Sequence, residues 1–101
     1  MFNTCPDAGT ARRIATALVE RRLAACVNII AGVQSVYRWQ DKVETGNEHL
    51  LVIKCSSDAY AALEQAVTEL HPDELPEIVA VSIKAGLPGF LDWINNNSRQ
   101  P

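Results

Sequence analysis

Between residues 71 and 77 the chain carries one imidazole and three carboxylates: His71, Asp73, Glu74 and Glu77. Imidazole beside carboxylate oxygens is a donor set for Zn²⁺, Cu²⁺ or Mn²⁺, although this spacing follows none of the common metal-ligand motifs. The competing reading makes His71 a cap at a helix C-terminus, where the helix dipole favours a cation, and leaves the carboxylates in water. Cys5 is the second candidate, because it precedes a helix N-terminus that should lower its thiol pKa, and a soft thiolate suits Cu(I). The metal-ligand candidates are therefore His71, Cys5 and Glu74. The same groups could in principle exchange protons, with His71 beside Glu74 or Glu77. No nucleophile, base and orienting group stand together as catalysis would need, so the expectation is a protein that is not an enzyme.

A second constellation lies on a pair of predicted strands. Tyr37, Trp39, Glu48 and Lys54, with Glu77, are expected to line a cleft where hairpins of neighbouring chains meet, a common place for ligands. The plainer alternative has Trp39 filling an interface and Lys54 paired with Glu48 on the same strand face. Cys26 is expected to act as a small buried hydrophobe, His49 to sit on the solvent side of its strand, and Cys55 has no assigned role.

The bulk numbers restrict what can be built around these groups. With 101 residues and 48% hydrophobic content the chain makes one domain, residues 1–101, with a single core. Nine basic against twelve acidic residues give a net charge of −3, the wrong sign for a phosphate-backbone partner. Arg12, Arg13, Arg21 and Arg22 fall on one early helix and are expected to face solvent. No stretch of 18 apolar residues would span a membrane, and no apolar leader opens the chain. Cys5, Cys26 and Cys55 are odd in number and widely spaced, which predicts free thiols and a cytoplasmic location.

Period and punctuation supply the elements. A very short strand at residues 2–5 leads to a helix capped by Asp7, with Ala11, Ile14, Ala15, Leu18 and Val19 as its core-facing stripe. Residues 25–40 then read as a long strand bent or bulged at Gly32. A turn at Gln40-Asp41-Lys42 leads into a second long strand over residues 43–55, with a further irregularity at Gly46-Asn47. Ser57 and Asp58 open a helix whose buried side is Tyr60, Leu63, Val67 and Leu70, with Ala59, Ala62 and Ala66 beside it. Pro72 ends that helix and forces His71 out of helical geometry. Residues 78–83 read as one apolar strand covered on at least one face. Pro88 starts a short helix carrying Phe90, Leu91 and Ile94, and residues 95–101 read as a polar, frayed tail.

The order is that of an α+β, ferredoxin-like β-α-β-β-α-β fold with a long β-hairpin and an appended C-terminal helix. The hairpin far exceeds the usual strand length of about five or six residues. Apolar strands that outrun their covering helices would aggregate in a monomer, and pairing among copies in a closed ring removes the exposed edge. Oligomerisation is predicted on these grounds, without the number of copies.

Four stretches resemble the CutA divalent-cation tolerance family: Thr4-Cys5-Pro6-Asp7, Leu23-Ala24-Ala25-Cys26-Val27-Asn28-Ile29, Tyr37-Arg38-Trp39, and His71-Pro72-Asp73-Glu74-Leu75-Pro76-Glu77-Ile78. They occur in order and span nearly the whole chain. The resemblance implies a homotrimer of PII-like architecture whose hairpins cross subunit boundaries. It further implies a protein of divalent-metal response, holding copper or another divalent ion and no organic cofactor. An alternative within the same likeness is a trimeric regulator that binds a small anionic effector between subunits. The family's copper-ligand positions correspond here to Asn3, Leu70 and His71, so only His71 retains a ligand type. Asp41 stands where the hairpin usually has glycine.

Overall fold

The structure, a computed structural model, describes residues 1–98. Four strands and three α-helices follow one another as β1 (Phe2–Cys5), α1 (Ala8–Glu20), β2 (Cys26–Trp39), β3 (Lys42–Lys54), α2 (Tyr60–Leu70), β4 (Ile78–Val79) and α3 (Pro88–Asn97), with a 3-10 turn at Ser57–Ala59 leading into α2. The sheet order is β2-β3-β1-β4, with every neighbouring pair antiparallel. This is the ferredoxin-like arrangement that the element order predicts.

Helix α1 starts where Asp7 accepts the Thr10 amide at 2.7 Å through Oδ1, satisfying one of the orphan donors of the first turn. Its inner face buries Ala11, Ile14, Ala15 and Leu18 against Leu63, Ala66 and Val67 of α2 and Leu51 and Ile53 of β3. Fully burying a side chain such as Ile14 or Leu18 contributes about 1.5–3 kcal/mol. Val19, predicted in that stripe, lies outside it and is exposed: the buried stripe narrows where the covering surface ends. The four arginines of α1 and its C-terminal turn are exposed, as predicted.

The hairpin is the dominant feature. Pairing runs unbroken from Cys26–Lys54 to Trp39–Lys42 except for a register shift between Ile30 and Val33. Gly32 sits in that shift at φ +75°, a left-handed conformation that glycine adopts at no steric cost. The second irregularity expected at Gly46-Asn47 is absent; both residues pair in register with Ser35 and Gln34, because a glycine bends a strand only when an extra residue must be accommodated. Gln40 and Asp41 form the two-residue turn with φ of 50° and 64°, the left-handed pair of a type I′ hairpin.

The C-terminal part departs further from expectation. Strand β4 has two residues, Ile78 and Val79, paired with Asn3 and Phe2. The rest of the apolar run has no ladder partner among the described residues, and Val79, Val81 and Ile83 are 50%, 64% and 55% exposed. A run patterned for burial has no surface of its own chain to bury against. The predicted frayed tail is also revised up to residue 98, since α3 continues to Asn97 and Ser98 is fully buried. Ser98 Oγ accepts the Ser56 amide at 2.8 Å and donates to the Ile94 carbonyl at 2.5 Å. Residues 99–101 of that tail lie outside the described residues.

Candidate functional site

The site is assembled where the chain leaves α2 and crosses to β4. Pro72 cannot continue a helix, and His71 accordingly adopts extended backbone at φ −82°, ψ 137°. The turn so formed carries residues 73–77 alongside β1. Two side chains fasten it there. His71 Nδ1 accepts the Asp73 amide at 3.1 Å, which leaves the proton on Nε2, and that atom donates to the Thr4 carbonyl at 2.7 Å. Asn3 Nδ2 donates to the Glu77 carbonyl at 2.9 Å, and Asn3 Oδ1 accepts from Cys5 Sγ at 3.3 Å.

These contacts set the surroundings of the predicted metal ligands. The side chain of His71 is fully buried and both ring nitrogens are engaged within the fold. In this structure its ring serves to fasten the turn, and its backbone amide closes the helix on Val67. Cys5 is buried. Burial, and after it the charges of Asp73, Asp7 and Glu48, push its thiol up to about 12, with Arg13 opposing. The expected activation by the helix N-terminus does not occur, because that terminus already has Asp7 as its anion and the thiol has no water to stabilise a thiolate. Glu74 is exposed and stays apart from both. Among the described residues no three histidine, cysteine, aspartate or glutamate side chains converge closely enough to hold a metal ion.

The fastened segment forms one wall of a cavity of about 710 Å³. Residues 73–77 line it on one side; Thr4, Ser35, Tyr37, Trp39 and Glu48 line it on the other. Tyr37 and Trp39 stand two apart on β2 and so share a sheet face. Glu48 joins them there because the shift at Gly32 sets it opposite Val33. Four carboxylates, Glu48, Asp73, Glu74 and Glu77, face the cavity, and no lysine or arginine lines it. The Asp73 carboxylate lies 3.9 Å from His71 Nδ1, which as an unprotonated acceptor forms no ion pair with it.

Of the predicted cleft residues, Tyr37, Trp39, Glu48 and Glu77 meet in this cavity, together with Glu74. Lys54 does not. It pairs with Cys26 at the base of the hairpin and hydrogen-bonds the side chain of Asn28, and the ion pair with Glu48 fails because six residues of one strand separate them by about 20 Å. His49 is also revised: it is half-buried opposite Cys5, with Nδ1 enclosed and unbonded. Cys26 and Cys55 are half-buried, and burial raises the Cys55 thiol. Sequence reasoning missed Asn3 and Thr4 as positioning residues. Asparagine inside an apolar strand was the available signal, since a buried amide requires partners.

The family model described as CutA1 divalent ion tolerance protein matches residues 1–97. The divalent-cation tolerance protein CutA of Thermus thermophilus is 48% identical over 95 residues, covering 94% of this chain and 92% of that protein. The chain spans little more than half the length of several other relatives, for example 53% of Protein CutA from mouse. Among solved structures, the divalent cation tolerance protein Cut A1 of Thermus thermophilus superposes with a TM-score of 0.94 at 47% identity, covering 96% of this chain and 94% of that one. The PII-like protein CutA of Nostoc sp. PCC 7120 gives a TM-score of 0.92 at 33% identity, covering 99% and 96%.

Proposed function

We propose that this chain, which belongs to the CutA1 divalent ion tolerance family, works as a homotrimer that binds divalent metal ions, copper foremost, through carboxylates gathered between subunits. The observation that carries the reading is the cavity wall of Glu48, Asp73, Glu74 and Glu77, which has no cationic side chain on its lining. Within one chain these donors do not converge, so a metal centre requires further donors from a sister chain. Any fixed set of nitrogen and oxygen donors holds Cu²⁺ most tightly among the first-row divalent ions. Copper is therefore the ion on which to test it.

Exposed apolar surface supports assembly. Both sheet edges are open: β2 carries Ile29, Ile30, Val36 and Tyr37, and the β4 edge continues into Val81 and Ile83. A hairpin of one copy laid on the β4 edge of the next joins unlike surfaces, and such head-to-tail contacts make a ring when the rotation between copies closes. The three free cysteines suit a reducing cytoplasm, and the chain acts by binding rather than by catalysis.

A regulatory trimer with an anionic effector is the second reading, favoured by the likeness to the PII-like protein of Nostoc. The carboxylate wall repels an anion from this cavity, and the cation reading leads for that reason. Copper titration of the assembled protein, wild type against a Glu48→Gln, Glu77→Gln double variant, distinguishes them. Saturable Cu²⁺ binding that falls at least tenfold in the variant supports the proposal; unchanged affinity removes these carboxylates from the site.

A further inference from the structure

We draw no further inference here: the strongest candidate, the cross-strand pair of Cys5 on β1 and His49 on β3 with its enclosed and unbonded Nδ1, carries nothing because the histidine is only partly buried and no third ligand-type side chain among the described residues joins the two.

Discussion

His71 Nε2 donates to the carbonyl of Thr4 at 2.7 Å, joining residues 67 positions apart. The contact ties the end of α2 to β1, and with the Asp73 amide on Nδ1 it uses the whole hydrogen-bonding capacity of a neutral imidazole. The residue that the sequence singles out as the first metal ligand is thus the positioning residue for the carboxylate wall.

Removing it should therefore be felt first in stability. His71→Ala leaves a part-buried carbonyl and a part-buried amide without their side-chain partner. It is expected to lower the unfolding free energy by about 2–4 kcal/mol, visible as a lower urea midpoint at unchanged m-value. A variant of wild-type stability that has lost copper binding would instead identify His71 as a direct ligand.

Cys5 should be inert when folded. With its thiol pushed up to about 12, it stays protonated at neutral pH and resists iodoacetamide until denaturant is added, as peptide mass mapping would record. The linkage has a definite sign. The folded chain keeps this proton above pH 9, where the unfolded thiol, with its ordinary value of 9.0, has lost it. Stability contributed by Cys5 is therefore complete below pH 9 and falls progressively as pH rises toward about 12. Alkylation of the native protein at the unfolded rate would contradict the burial on which this depends.

The hairpin offers a paired test of backbone strain. Gly32 has φ +75° with open space where a Cβ would go, so Gly32→Ala tests conformation without a clash and should cost about 1 kcal/mol. At the turn the change runs the other way. Replacing Gln40-Asp41 with Asn-Gly suits the positive φ values of both residues and should stabilise by about 0.5–1 kcal/mol. Thermal melts of the two variants should move in opposite directions.

Ser98 anchors the last helix. Its hydroxyl links the Ser56 amide to the Ile94 carbonyl, and Ser56 Oγ in turn donates to the Ser98 carbonyl. Ser98→Ala should cost about 1–2 kcal/mol and raise hydrogen exchange at the Ser56 amide while leaving the α1 amides protected.

What the sequence disclosed depended on how local each cause was. The Asp7 cap, the bulge at Gly32, the turn at Gln40-Asp41 and the break at Pro72 are set by residues within a few positions, and each could be read directly. The 3.6-residue stripe of α1 was legible as well, save for Val19 at its margin. Long-range partners were not. Nothing near His71 announces Thr4, and nothing near Cys5 announces that Asp73 and Glu48 would oppose its ionisation. The apolar run after Ile78 was recognised as a strand, yet its pairing ends at Val79, because a sequence encodes a demand for burial without saying which chain meets it. The cavity was legible in part for the same reason: Tyr37, Trp39 and Glu48 share a strand face by parity, whereas Lys54 required the true distance along β3.

Exposed apolar strands on both edges of the sheet are the feature from which the whole functional reading grows. Sedimentation equilibrium on the purified chain measures their consequence directly. The expected result is one species of about three times the chain mass of 11.1 kDa, holding together through micromolar dilution. A soluble, folded species at 11.1 kDa would show that these edges need no sister chain, and the proposed metal centre between subunits would be lost with it.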